Sequence, residues 1–274
     1  MAIITISRGT FSGGQSLAEC VAEGLGYRCL SREELLTDSA SQFAVGAELL
    51  SAALDNKPGF LETVKLERLR YITYVRATLL RVVRDDNVVY HGQVGHLLLE
   101  GFPHVLRVKV IADMEFRIKA ATERHGFSRA EAIKFIRKVS SDRATWVRHV
   151  YHVDWHDPLL YDVLFNVASI GIPAATEIVV DTVTKPQFQT PPSFKKVMDD
   201  LVLSADIQAR IAEQRGLDYR EIGVEADGGI VTILGTVDTL HEADIIRVVA
   251  RNTQGVQEIK PKIKIRYPGV LAGV

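Results

Sequence analysis

Cysteine is almost absent. Cys20 and Cys29 are the only two in 274 residues. They lack a metal-ligand spacing and are too few for a disulfide framework, so both are expected to be buried thiols. A surplus of charge is also missing: 33 Lys and Arg face 34 Asp and Glu, for a formal net charge of −1. That balance sets up no field that would gather a nucleic acid or an anionic surface, and no nucleic-acid partner is expected. No apolar run reaches the ~18 residues of a membrane-crossing helix. Ser7, Arg8 and the glycines break the first apolar run too early for a signal peptide. The expected location is therefore cytoplasmic, and the chain is not transmembrane.

What is present begins at once. Ile3-Ile4-Thr5-Ile6 is a short apolar strand, and "SRGTFSGGQSLAE" (7–19) follows it. Gly9 and Gly14 have the spacing of a phosphate-binding loop, whose next two residues should be Lys and Ser or Thr. Here they are Gln15 and Ser16. Leu17, Val21 and Leu25 then mark one face of a helix, and Gly26 ends it. Free N–H groups at such a helix start attract phosphate. Gly9, Gly13 and Gly14 let the backbone come close, and Arg8 is near enough to stand in for the missing Lys.

Strand and helix patterns alternate beyond this point. Tyr27 to Leu30 reads as a strand, and Ser31 with Glu34 as a capping box. Residues 60–84 form a long helical pattern. Val88-Val89-Tyr90 leads into the turn His91-Gly92-Gln93-Val94-Gly95. Val105 to Ala112 is another strand, followed by a helix from 114 to 125. A further helix runs from Ser128 through Arg137, and Tyr161 to Asn166 is a last strand. This alternation predicts an α/β fold with a parallel sheet flanked by helices. "TKPQFQTPPSFKK" (184–196) is linker chemistry. After it, a helix capped by Ser204, a hairpin turn at Asp227-Gly228-Gly229, a helix over 241–252 and a strand over 259–265 predict a small α+β domain of αββαβ order. Pro261 suits its edge strand.

Arg137, Lys138, Arg143 and Arg148 surround Asp142 and have the chemistry to close over phosphate, although a solvated helix face fits them too. His149, His152 and His156 share no helical face, so no metal site is expected there.

Three segments, "ITISRGTFSGGQSLAE", "VLRVKVIADMEFRI" and "DWHDPLLYDVLFN", together resemble the cytidylate kinase-like family, relatives of the P-loop nucleoside monophosphate kinases. The likeness spans about 1–182. It implies a P-loop kinase-like domain over 1–183, with 184–196 as linker. It also implies that ATP phosphates lie on Arg8, Gly9, Ser12, Gly13, Gly14, Gln15 and Ser16, with Mg²⁺ on Ser16. Arg143 and Arg148 would close over the transferring group. Asp154 and Asp162 would contact the acceptor, CMP or dCMP, or the lid. The chain departs from the family pattern at three places: Gln15 stands for Lys, Gly92-Gln93 for Gly-Arg, and Ser140 for a lid Asp. Lost positive charge weakens phosphoryl transfer, which depends on positioning and charge stabilisation.

Residues 197–267 resemble a BON domain, which implies a lipid or protein ligand and no catalysis. Three functions stay open at this point. They are a nucleoside monophosphate kinase-like phosphotransferase, a catalytically inactive nucleotide-binding sensor, and a structural partner-binding protein. The first, weakened by the lost charges and moving phosphate from ATP to CMP or dCMP, is the leading expectation, and the sensor is its alternative; a homo-oligomer stays open.

Overall fold

The computed structural model describes residues 2–55, 62–102 and 104–266. The fold comprises two compact units, 1–60 with 85–191 and 61–84 with 192–274.

The first unit is built on five parallel strands: β1 (Ile3–Arg8), β2 (Arg28–Ser31), β3 (Val88–Gly92), β4 (Val105–Ile111) and β5 (Val163–Asn166), in the order β2-β3-β1-β4-β5. β1 is central and buried almost throughout, as a strand covered on both faces must be. On one face Ile4 and Ile6 join Val89, Val108 and Val110. This layer packs under helices α1 (Gly14–Leu25) and α8 (Val167–Val183) through Leu17, Val21 and Val179. Burying each of these large aliphatics contributes about 1.5–3 kcal/mol. The opposite face carries Thr5, Ser7 and Lys109, which are buried polar groups. The two thiols are less enclosed than expected. Cys20 is exposed, because α1 buries Leu17, Ala18, Val21 and Ala22 and turns Cys20 away from them. Cys29 is half-buried on the edge strand β2.

Between these strands lie α2 (Arg32–Phe43), α3 (Ala47–Asp55), α4 (Glu62–Val83), α5 (Gly95–Leu98), α6 (Met114–His125) and α7 (Arg129–Tyr151). Ser31 caps α2 by accepting from the Glu34 amide at 3.0 Å, and Ser128 with Glu131 forms the capping box of α7. α7 runs to Tyr151, well beyond the predicted end at Arg137. The Ser140-Ser141 pair favours a break locally. Burial of Trp146 and Val147 in the core carries the helix through it, and Trp146 Nε1 donates to the Ala53 carbonyl of α3 at 2.7 Å. α8 bends at Gly171, which has φ 76° and ψ 160°, two residues before Pro173.

The second unit contains α9 (Lys195–Glu213), β6 (Gly223–Asp227), β7 (Ile230–Val237), α10 (Leu240–Arg251) and β8 (Glu258–Ile265). β6 and β7 form a hairpin, and β8 joins β7 in parallel. The small αββαβ domain is thus present. Its first helix starts at Lys195, inside the predicted linker, and Ser204 instead donates back to the Asp200 carbonyl at 2.9 Å. Residues 186–188 and 192–194 of that linker form short 3₁₀ turns. The predicted 60–84 helix is α4, its first two positions lying outside the described residues, and it packs in this second unit. Arg81 pairs with Asp206 at 2.7 Å, Arg84 pairs with Asp199 at 2.6 Å, and the Tyr219 hydroxyl donates to the Leu66 carbonyl at 3.1 Å.

Candidate functional site

The loop between β1 and α1 forms one wall of a cleft of about 480 Å³. Arg8 to Gln15 line it, joined by Ser31, Glu33, His91, Arg124, His125 and Arg143. Three backbone features shape the loop. Gly13 has φ 81°, a left-handed conformation that costs other residues about 1–2 kcal/mol. A Cβ on Gly14 would lie 2.4 Å from Arg8 Cβ, so only glycine lets Arg8 fold across the helix start. Ser12 donates to the Gly9 carbonyl at 2.9 Å and closes the turn.

Phe11 adopts φ 59°, unusual for a bulky side chain. Its ring explains the strain. It meets His125 edge-on at 5.3 Å and Phe135 at 6.0 Å, and it packs on the small core of Ile118, Ala121, Ala132 and Ile136 between α6 and α7. Two arginines reinforce this attachment. Arg143 Nη1 donates to the Thr10 hydroxyl at 3.2 Å and to the Arg8 carbonyl at 3.4 Å. Arg117 Nε donates to the Thr10 carbonyl at 2.8 Å, while its Nη2 reaches Ser140 at 3.0 Å. The α6–α7 pair is therefore latched to the crown of the loop.

Electrostatically the cleft is cationic. Arg8, Arg124 and Arg143 oppose one carboxylate, Glu33, which lies 3.9 Å from Arg8. Burial holds Arg143 down at about 10, with Asp55 pulling it up and Arg8 and Arg32 pushing it further down. Burial, then Arg8, also lowers His91, which keeps its imidazole neutral. The Nε atoms of Arg8 and Arg143 and Nδ1 of His91 are buried with no hydrogen-bond partner among the described residues.

The other residues singled out in the sequence are distributed as follows. Gln15 is exposed and donates to Glu19 one turn along α1 at 2.9 Å. Ser16 is half-buried in the first turn of α1 and is not among the residues lining the cleft. Arg148 has a side chain 69% exposed and sits 3.7 Å from Asp154, away from the cleft lining. Asp154 also accepts from the His156 amide at 2.9 Å. Asp162 is held by Arg107 through its backbone amide at 2.8 Å and its guanidinium at 2.7 and 3.1 Å. Gln93 is buried and turns toward the Leu54 carbonyl, 3.4 Å away. The three histidines of α7 and its exit form no metal cluster among the described residues.

His91, Arg117, Arg124 and His125 are site residues to which sequence reasoning gave no role. For His91 the signal was available, since a residue at the C-terminal end of an inner strand beside a phosphate loop faces the ligand crevice.

Behind the cleft, Lys109 is 3% exposed. Its Nζ lies 3.0 Å from the Trp155 ring centroid and 3.2 Å from the Tyr161 hydroxyl. Trp155 Nε1 donates to Ser7 Oγ at 3.2 Å, and Ser7 Oγ donates to the Gln93 carbonyl at 3.2 Å. Burial, aided by Arg143, brings Lys109 down to about 6, so the amine is largely neutral at pH 7.

A five-stranded parallel sheet covered by helices, with a glycine loop between its central strand and the first helix, is a fold resembling the P-loop kinases. Residues 3–169 match the family model of the cytidylate kinase-like family, and the chain belongs to that family. Residues 199–267 match the BON domain model. A cytidylate kinase from Ignicoccus hospitalis is 25% identical over 181 residues, 65% of this chain and 97% of the relative. Among solved structures, an uncharacterized protein from Eubacterium ventriosum superposes with a TM-score of 0.51 at 18% identity, covering 66% of this chain and 97% of that one. A shikimate kinase from Bacteroides thetaiotaomicron gives a TM-score of 0.43 at 13% identity, over 67% and 99%. Among the described residues no single helix is long and apolar enough to cross a membrane.

Proposed function

We propose that the cleft binds the phosphates of a nucleotide such as ATP and that the protein acts as a nucleotide-responsive binding module of the cytidylate kinase-like family. One observation carries this reading: Arg8, Arg124 and Arg143 line one cleft with the glycine loop and the uncapped start of α1. Guanidinium groups match phosphate oxygens bidentately, and the free amides of a helix start attract them.

Transfer of the phosphoryl group is poorly supported by the same geometry. Gln15 is tied to Glu19, Gln93 faces Leu54, and Arg148 stands apart beside Asp154. These three positions, which would bring extra cations to the reacting phosphate, are neutral or elsewhere, which raises the barrier by several kcal/mol. The second reading, a weak phosphotransferase moving phosphate from ATP to CMP or dCMP, is favoured by the family and by Arg143 at the loop crown. The BON-matched segment would hold a lipid or protein ligand.

Calorimetry with ATP and CMP, paired with a coupled assay for ADP release, separates these readings. Binding of ATP with no turnover above background is expected. Turnover with CMP selects the transferase, and absence of any nucleotide binding refutes both.

A further inference from the structure

The oxygen donors of the cleft do not fit the metal that usually accompanies a nucleotide. In phosphate-loop sites Mg²⁺ is held by the loop Ser or Thr and by an aspartate, and it demands hard oxygen ligands in octahedral array. The strand ends flanking the loop supply no carboxylate to the cleft lining. β3 ends in His91-Gly92 beside Ile6 and Ser7, and His91 offers a buried neutral nitrogen. Asp113, which follows β4, is not among the residues lining the cleft, and its Oδ1 caps α6, accepting from the Phe116 amide at 2.8 Å. Glu19 is engaged by Gln15. Ser16, the loop hydroxyl at the metal position, is not on the cleft lining.

That leaves Glu33, the single carboxylate among the lining residues. Its side chain is 66% exposed and lies 3.9 Å from both Arg8 and Arg32. It is thus placed to answer guanidinium charge. Among the described residues, no three His, Cys, Asp or Glu side chains come together to hold a metal. The cationic side is well furnished, with Arg8, Arg124 and Arg143 on one cleft. Guanidinium groups match phosphate oxygens bidentately and never lose their charge.

We propose that this cleft takes a nucleotide polyphosphate without Mg²⁺, with Arg8, Arg124 and Arg143 balancing the charge that the metal balances elsewhere. The proposal rests on the nucleotide-binding reading given above. A free polyphosphate carries more negative charge than its Mg²⁺ complex, so it is the better ligand for an arginine-only site.

The test is calorimetric titration of the full chain with ATP, once in EDTA and once in millimolar MgCl₂. The expected result is an affinity in EDTA equal to or tighter than that in Mg²⁺. Glu33→Gln, which removes the lining carboxylate that competes for Arg8, should tighten binding in EDTA. Binding reproducibly tighter in Mg²⁺ than in EDTA would overturn the proposal and leave the nucleotide reading intact. So would an affinity in EDTA that Glu33→Gln leaves unchanged or weakens. No heat of binding in either buffer would overturn the nucleotide reading itself, and this proposal with it.

Discussion

Arg143, midway along α7, donates from Nη1 to the hydroxyl of Thr10 at the crown of the phosphate-type loop, 3.2 Å away. Arg143 therefore spends part of its guanidinium on the loop itself, reaching the Arg8 carbonyl as well at 3.4 Å. In the nucleotide-binding reading proposed above, an incoming phosphate would share or replace these contacts.

Replacing Arg143 with Met keeps the stem and deletes the charge. ATP affinity should fall at least about tenfold, since hydrogen bonds to charged groups are worth about 1.5–3 kcal/mol. Thermal stability should change by less, because the group is already destabilised by burial. Calorimetry reads the first effect and scanning fluorimetry the second. An Arg143→Met protein that binds ATP like the parent would remove Arg143 from the site.

Phe11 trades backbone strain for ring packing. Phe11→Gly relieves a left-handed conformation worth about 1–2 kcal/mol and loses aromatic contacts worth about 0.5–1.5 kcal/mol beyond their buried area. The ring also loses part of the ~1.5–3 kcal/mol that burying a Phe contributes, so net stability should fall by about 1–2 kcal/mol while the latch loosens. Amide exchange in α6 and α7 should accelerate, as read by hydrogen–deuterium exchange. Unchanged exchange across 114–151 would show that Phe11 does not hold the α6–α7 pair.

Lys109 predicts a pH dependence whose sign is fixed. Its folded value, about 6, lies below the unfolded value of 10.5. Between those limits the unfolded chain binds a proton that the folded chain does not, so stability rises with pH across the window. The contribution changes by about 1.4 kcal/mol per pH unit at most, and the faces of Trp155 and Tyr161 reduce it by favouring the ammonium. Lys109→Met should remove the slope and raise stability at pH 7. Parallel denaturation curves for parent and variant at pH 6.5 and 9, with equal pH slopes, would contradict this account.

Gly235 in β7 has φ 129°, and a Cβ there would lie 2.0 Å from the Glu221 carbonyl oxygen. Gly235→Ala should cost the second unit about 3 kcal/mol or more, through backbone strain and the displaced carbonyl. The expected readout is an early unfolding transition with ATP binding at the first unit retained. A variant as stable as the parent would mean that the β6–β7 edge moves freely.

Local features were the ones the sequence made legible. The β1–loop–α1 unit, the Ser31 and Ser128 caps and the hairpin at Asp227-Gly228-Gly229 depend on neighbours within a few residues. Features set by distant packing were not. The α7 helix passes through Ser140-Ser141 because Trp146 is buried at its far end. α4 packs with α9 through Arg81–Asp206, a pairing 125 residues apart in sequence. At the site, the glycines announced the loop, whereas Arg117 lies on a polar helix face like any solvated arginine. Only the fold brings it to the Thr10 carbonyl. The same holds for Phe11, whose left-handed backbone follows from partners more than a hundred residues away.

The central claim is that the loop amides and Arg143 together receive nucleotide phosphate. Amide exchange over residues 8–16, measured with and without saturating ATP, tests it most directly. The account predicts slowed exchange in this segment for the parent and little or none in Arg143→Met. Exchange that is unmoved by ATP in the parent, or protection confined to other parts of the chain, would contradict it.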